Sequence, residues 1–565
     1  MTELDSVQDT GDDRSGILRP LWTYTVPGLA TGLVFACLSF TPSLLPRPPL
    51  FQALVAGVDL ALGYGIGVIG AWVWRAFADR TPRTPRPRAW WLLSVAALVL
   101  IPVSVVLGVR WQTEAHKLAA TDPDNPTWMV LVLPVAVLLA IVLVALGRGI
   151  RWVYRTFTGF LARMMGARAA KALGVVVLAG GSVLLVSGVL WDAALASFDG
   201  AFSVSNQQTP GRIDQPTGPL RSGSEESLGD WDTRGREGRV FVGSGPTADE
   251  IADLTGEPAL EPIRAYSGLE SAEDAEERAD LAVDDLERAG GFDRESLLVV
   301  TTTGTGWVEP SAAMSFEYLT GGDSAMVSMQ YSYLPSWLSF MVDSERAREA
   351  GRQLFDTVYE RWLGMPVGER PKLYVFGESL GSFGAETAFS GEHDMATRTS
   401  GALFVGPPNF NPLYRSFIDE RDSASPEIRP VYREGRVVRF SNHGETEVAP
   451  LGAEWREHRV VYLQHASDPV VWWSPDLILR RPDWLAEPRG DDVPDSMRWM
   501  PLVTFWQMSA DLALSFSTAP GHGHNYTGEH AAAWAAILQP EGWSKERVEE
   551  LRDLVLVERG FAPAR

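Results

Sequence analysis

The sequence predicts an α-helical membrane domain of about five spans followed by an α/β domain, with a mostly parallel sheet and helices on both faces. Three observations carry this. Long apolar stretches are confined to the first 194 residues, the sign of the charge changes at about that point, and short apolar runs then alternate with amphipathic helical stretches.

The chain has 565 residues, too many for one simple core. Residues 1–194 carry 16 Lys and Arg against 11 Asp and Glu, a net of +5. The remainder carries 33 against 60, a net of −27, and the whole chain stands at −22. A region so acidic repels polyphosphate, so nucleic acid is excluded as its partner. Cys37 is the only cysteine, which excludes an intrachain disulfide and a cysteine-based metal site. The 8 histidines lack ligand spacing, so neither a metal nor a cofactor is expected.

The five apolar stretches run from Trp22 to Phe40, Leu54 to Val73, Ala89 to Val109, Trp128 to Leu146 and Ala172 to Leu190. Each approaches the roughly 20 residues that a hydrocarbon core requires. A cleaved signal peptide fits the first poorly, because its flank Met1–Asp13 is acidic and four more stretches follow. Arg75, Arg80, Arg83, Arg86 and Arg88 lie between the second and third stretches. Arg148, Arg151, Arg155, Arg163, Arg168 and Lys171 lie between the fourth and fifth. The alternate loops hold only Arg47, and Arg110 with Lys117. The positive-inside rule puts the N-terminus in the cytoplasm, and five spans then put everything after Asp192 outside. The arginines of Ile150–Met165 favour an interfacial helix over a span. Asp59 lies within the second stretch beside Gly57, Gly63, Gly65 and Gly67, where glycines permit close helix packing; a packing residue is the favoured reading over a functional carboxyl.

Residues 1–195 are thus read as the membrane domain, 196–236 as a linker and 237–565 as the second domain. Ser203 to Arg236 has the Ser, Gly, Pro and acidic composition of an exposed linker. Strands are expected at Arg239–Val242, Ile263–Tyr266, Leu297–Thr302, Ala325–Tyr331, Lys372–Phe376, Ala402–Val405, Val437–Phe440 and Val460–Gln464. Helices are expected at Ala272–Ala289 and Ser344–Trp362, with another running through Glu386–Phe389. Asn409–Arg436 is a candidate cap insertion.

The strand Lys372–Phe376 runs directly into Gly377-Glu378-Ser379-Leu380-Gly381, a G-x-S-x-G string ahead of a helical pattern. A sharp strand-to-helix turn holds such a serine strained and exposed, and the flanking glycines remove side chains that would collide across the turn. Ser379 is the expected nucleophile. Asp468 follows the strand Val460–Gln464 and is the expected acid that orients the base. The base falls in Gly521-His522-Gly523-His524, with His524 preferred and His522 the alternative; His530 is expected on a helix surface. An oxyanion hole needs two backbone N–H groups. Leu380 is expected to supply one, and the loop Thr303-Gly304-Thr305-Gly306-Trp307 the other, through Thr303, Gly304 or Thr305. That loop lacks the lysine of a phosphate loop.

With these residues in place, the chain resembles the α/β-hydrolase fold across roughly residues 236–565. More closely it resembles the actinobacterial family of membrane-anchored α/β-hydrolases. That resemblance rests on Thr41-Pro42-Ser43-Leu44-Leu45-Pro46-Arg47, Phe241-Val242-Gly243-Ser244-Gly245-Pro246-Thr247, the Thr303–Trp307 loop, Gly377–Gly381 and Gly521–His524. It implies a Ser-His-Asp hydrolase domain at a membrane and leaves the substrate open.

The tryptophans Trp455, Trp472, Trp473, Trp484, Trp499 and Trp506 suit either acyl chains or ordinary packing. Tethering to a bilayer favours a lipid or cell-envelope acyl ester. The expected activity is a serine esterase or lipase working through an acyl-enzyme on Ser379. The alternatives are an acyltransferase using the same triad, an inactive binding or assembly protein, and a transporter that uses the spans.

Overall fold

The computed structural model describes residues 24–81, 85–123, 129, 131–184, 203, 205–335, 338–339, 344–442 and 453–562. The chain divides into two compact units, one built on the N-terminal helices and the other on the C-terminal sheet.

The first unit contains α1 (Val26–Leu38), α2 (Pro49–Phe77), most of α3 (Pro87–Leu118), α4 (Val132–Leu161) and α5 (Ala167–Leu184). Among the described residues, three helices are long and apolar enough to cross a membrane: α2, α3 and α4. Five spans were expected. The first expected span is cut to 13 residues, because Thr25 caps α1 ahead of Pro27 and the chain leaves the helix at Ser39. α5 is described as far as Leu184, and the rest of the fifth expected stretch, to Leu190, lies outside the described residues. Trp22, Arg83, Trp128 and residues 185–202 lie outside the described residues. The stretch expected as an interfacial helix is continuous with α4, which runs unbroken through Ile150 to Leu161.

Glycines let α2 approach its neighbours closely. A Cβ on Gly63 would lie 2.8 Å from Thr31 O, on Gly67 2.5 Å from Pro27 O, and on Gly57 2.9 Å from Ala136 O. Gly65 faces open space and takes no part in this seam. Asp59 is fully buried in α2, and neither carboxyl oxygen has a hydrogen-bond partner among the described residues.

The second unit is built on seven parallel strands in the order β1-β3-β2-β4-β5-β7-β6. They are β1 (Ile263–Ser267), β2 (Ser296–Thr301), β3 (Ser324–Met329), β4 (Lys372–Glu378), β5 (Gly401–Val405), β6 (Val438–Ser441) and β7 (Arg459–Leu463). Parallel strands covered on both faces read as nearly continuous apolar runs, which is why these segments lack alternation. Alternate residues such as Leu298, Val300, Phe376 and Leu403 face one core, which includes Phe316 of α9 (Pro310–Leu319) and Trp534 of a late helix. The opposite face is covered by α8 (Ala275–Arg288) and α10 (Ser344–Gly364), with α11 (Leu380–Glu386) packed on α10.

Two expectations ahead of β1 are corrected. Arg239–Val242 lies inside a helix, α6 (Gly235–Gly243), which is followed by α7 (Ala248–Thr255). The helix lets Phe241 and Val242 pack on the sheet while Gly238 stands against Tyr266. The end of the expected linker is folded onto β1. Ser222 N donates to Arg264 O at 3.0 Å, Tyr266 N donates to Ser222 Oγ at 3.0 Å, and Arg234 is fully buried beside Asp285. Polar composition here reflects a buried hydrogen-bonding network rather than exposure.

Short segments far upstream also belong to this unit: residues 42–46 and 113–123. Asp511, on a helix near the C-terminus, accepts from Ser43 Oγ at 3.0 Å, Leu44 N at 3.1 Å and Leu45 N at 3.4 Å.

The strand order places a switch point between β2 and β4, where successive connections leave toward opposite sides of the sheet. The register then aligns the carboxyl ends. Thr301 of β2 pairs with Gly377 of β4, and Glu378 pairs with Val405 of β5, which pairs with Leu463 of β7. The loops carrying Thr303, Ser379, Gly406 and His465 all leave from this edge.

Candidate active site

Ser379 sits between the last residue of β4 and the first residue of α11 with φ 53° and ψ −126°. A non-glycine residue at positive φ is strained and is held there by its surroundings. Ser379 N donates to Val405 O at 2.8 Å, and Ser382 N donates back to Ser379 O at 3.0 Å. The glycines of the motif are required by contact. A Cβ on Gly377 would lie 2.5 Å from Gly381 O, and one on Gly381 would lie 2.3 Å from Thr301 O. The turn therefore folds back on itself and on the end of β2.

Asp468 opens α14 (Pro469–Trp472) and divides its two oxygens between two tasks. Oδ1 accepts from Val470 N at 2.8 Å, the helix cap. Oδ2 lies 2.6 Å from His524 Nδ1 and accepts from Tyr526 OH at 2.8 Å. One oxygen thus caps the helix and the other faces the imidazole and the phenol.

His524 is the histidine that meets Asp468. Its ring stands over Gly406, whose Cβ would lie 2.4 Å from His524 Cε1. Gly406 follows Val405, the residue whose carbonyl holds Ser379 N, so Ser379 and the imidazole flank one corner of the sheet. With Nδ1 facing the carboxylate, the Nε2 lone pair is the side left for a proton, and Nε2 is buried with no hydrogen-bond partner among the described residues. Burial opposes the imidazolium, but the charge of Asp468 and its hydrogen bond outweigh burial and raise the His524 pKa above that of a free histidine. His522, the alternative base, is half-buried. Its carbonyl accepts from Thr518 Oγ1 at 2.6 Å, and its amide donates to Ala519 O at 3.2 Å.

Leu380 opens α11, and its N–H lies outside the helical ladder beside Ser379. The loop after β2 closes on itself: Thr303 N donates to Trp307 O at 3.1 Å and Gly306 N to Thr303 O at 2.9 Å. Thr303 thereby drops out as a backbone oxyanion donor, and Gly304 and Thr305 remain as that loop's candidates. Gly304 is pressed against the chain, with a Cβ there 2.3 Å from Leu334 O.

Four neighbouring residues have no place in the sequence reading of the site: His465, Tyr526, Glu529 and His530. His530 was expected on a helix surface, but it is fully buried in α17 (Glu529–Leu538), which follows α15 (Asp483–Ala486) and α16 (Val503–Ala513). Its Nε2 lies 3.0 Å from Glu378 Oε2 and its Nδ1 2.8 Å from Ser311 Oγ. Burial raises the Glu378 pKa, opposed by the His530 hydrogen bond and reinforced by Glu309. The residue preceding Ser379 is therefore paired. A glutamate inside the nucleophile motif, flanked by a buried strand, is itself the sequence signal that a partner was needed.

The tryptophans resolve mainly into packing. Trp472 and Trp484 are fully buried against each other. Trp455, Trp473 and Trp499 donate to Val437 O, Ser509 Oγ and Leu477 O. Trp506 lies edge-on to Phe505. The stretch from Asn409 is stitched to the nucleophile helix through Glu386. This carboxyl accepts from Asn411 Nδ2 and Tyr462 OH on one oxygen, and from the amides of Leu413 and Tyr414 in α13 (Pro412–Asp419) on the other. α12 (Glu392–Arg398) lies between α11 and β5 in the chain.

No curated protein and no solved structure matches the chain. Two family descriptions do. Residues 40–246 match the N-terminal region of an alpha/beta-hydrolase family, and residues 263–551 match the hydrolase region of that family, which holds the strained serine, Asp468 and His524. The chain belongs to this alpha/beta-hydrolase family and is of hydrolase type.

Proposed function

We propose that the protein is a membrane-anchored serine hydrolase acting on acyl esters of lipids or the cell envelope. The observation that carries this reading is the 2.6 Å approach of His524 Nδ1 to Asp468, with the opposite ring nitrogen buried and without a hydrogen-bond partner among the described residues, beside the corner that holds Ser379. In this mechanism Ser379 Oγ attacks the ester carbonyl while its proton passes to His524 Nε2. The amides of Leu380 and of Gly304 or Thr305 receive the oxyanion. The imidazolium, stabilised by Asp468, then protonates the leaving alcohol. Water, activated by the same ring, releases the acyl group and restores Ser379.

Anchoring supports a substrate held at a bilayer. The three apolar helices supply the anchor. Residues 42–46 and 113–123 alternate along the chain with the arginine-rich loops and belong to the catalytic unit. If the arginines mark the cytoplasm, the catalytic unit lies outside, an argument that does not depend on the number of spans. Beside the base, the exposed ring of Phe516 packs edge-on to His524 with centroids 4.9 Å apart, an apolar rim suited to an acyl chain.

The test is a fluorophosphonate probe applied to the full chain in detergent. Labelling is expected in wild type and in His522→Ala, and is lost in Ser379→Ala and His524→Ala. Labelling retained in Ser379→Ala would sink the assignment.

A further inference from the structure

His465 lies three residues before Asp468 and is fully buried. Both of its ring nitrogens face acceptors. Nδ1 lies 2.7 Å from Gly523 O, and Nε2 lies 2.6 Å from Glu529 Oε2. A neutral imidazole has one N–H and can donate to only one of these; with Glu529 ionised, both bonds form together only in the imidazolium. The ring stacks on Tyr526 with centroids 3.9 Å apart. The backbone of the same residue completes the link: His465 N donates to Tyr526 OH at 3.0 Å, and Tyr526 OH donates to Asp468 Oδ2 at 2.8 Å.

Gly523, immediately before His524, is gripped on both sides. Its carbonyl accepts from His465 Nδ1, and its amide donates to Ser467 Oγ at 2.9 Å. Ser467 N in turn donates to Asp492 Oδ2 at 3.2 Å. The loop bearing the acid and the loop bearing the base are thus joined next to both candidate catalytic side chains.

We propose that His465 is a positioning residue which, as a buried imidazolium bridging Gly523 O and Glu529, holds the His524 loop in register with Asp468, and that loss of its proton releases that grip. The proposal rests on the Ser379–His524–Asp468 reading. The charged and titratable groups around the ring are Glu529 at the start of α17, Asp492 on its loop, Asp468 and His524 in the site, and the stacked Tyr526. Burial alone would lower the His465 pKa, but Glu529, the Gly523 carbonyl and Asp492 raise it to about 9. Tyr526 is held well above its ordinary range by burial, so it stays protonated through that region.

The experiment measures the rate of fluorophosphonate labelling of the full chain from pH 6 to 10.5, in wild type, Glu529→Gln and Ser379→Ala. A nitrogen spectrum of histidine-labelled protein at pH 8 accompanies it, with the His465 signal assigned by its loss in His465→Gln. Wild type should show an alkaline fall in rate centred near pH 9. In Glu529→Gln that fall should move down by at least one pH unit, with the rate at pH 8 reduced roughly tenfold, because a small misplacement of a catalytic group is costly. The spectrum should show His465 protonated at both nitrogens in wild type and at one nitrogen in Glu529→Gln. A folded Glu529→Gln whose profile overlays wild type, or a neutral His465 ring at pH 8, overturns the proposal while leaving the hydrolase reading intact. Labelling that persists in Ser379→Ala overturns the hydrolase reading and the proposal with it.

Discussion

Gly406 and His524 touch so closely that a side chain at position 406 would force the imidazole to move. A Cβ there would lie 2.4 Å from Cε1 of the imidazole, and Gly406 also takes φ 53°. The residue after β5 therefore determines where the candidate base can stand, although it bears no chemistry of its own.

Gly406→Ala should push the ring away from Ser379. The expected outcome is a loss of roughly 100-fold in labelling rate, with a left-handed backbone penalty of about 1–2 kcal/mol. A labelling time course beside a thermal melt checks both. An unchanged rate would show that His524 need not occupy this place for reaction.

Asp468→Asn keeps an oxygen for the Val470 cap but removes the charge opposite His524 Nδ1. The ring is then free to adopt the wrong tautomer, and turnover of a p-nitrophenyl ester should fall by roughly 10³–10⁴. Asp468→Ala should lose activity as well and also about 1 kcal/mol of cap stability. Equal melting temperatures for the two variants would argue against the cap.

The His465–Glu529 pair also makes stability depend on pH. The folded pKa, about 9, lies above the ordinary 6.5, so the folded state holds the proton more tightly. The contribution is fully present below about pH 6.5 and is lost as pH rises through 9, with an upper size on the order of 3 kcal/mol. Melting temperature should decline over that window in wild type and much less in Glu529→Gln. A decline of equal size in the variant would assign it to another group.

Glu386 accepts four hydrogen bonds that tie β7 and the Asn409–Tyr414 segment to α11. Glu386→Ala strands several buried donors, each worth roughly 1–3 kcal/mol, and should lower the melting temperature sharply. Glu386→Gln retains acceptor capacity on one oxygen and should fall between the two. Wild-type stability in Glu386→Ala would show that the network reorganises at no cost.

Much of this architecture was legible along the chain because the relevant physics is local. Continuous apolar runs read as buried parallel strands, and seven of the eight expected strands occur within a residue or two of their expected bounds. The exception, Arg239–Val242, carries too short an apolar run for its period to separate a strand from the helix it belongs to. Apolar length likewise marked α2, α3 and α4, whereas the cap that shortens α1 acts at a helix end, where hydropathy is least informative. The strained serine turn was readable because its glycines, strand and helix are contiguous.

What sequence order could not decide is which distant polar groups are brought together. His522 and His524 are both preceded by glycine, and only the folded loop puts one of them on Asp468. His465, Glu529 and Tyr526 lie up to 64 residues apart in the chain, and His530 meets Glu378 across 152. A buried polar group must find a partner, but the partner can come from any strand end that the sheet brings to the same edge. Local periodicity and turn chemistry determine the elements and the strained serine turn, while sheet register and loop closure determine which histidine meets Asp468 and which residues surround that pair.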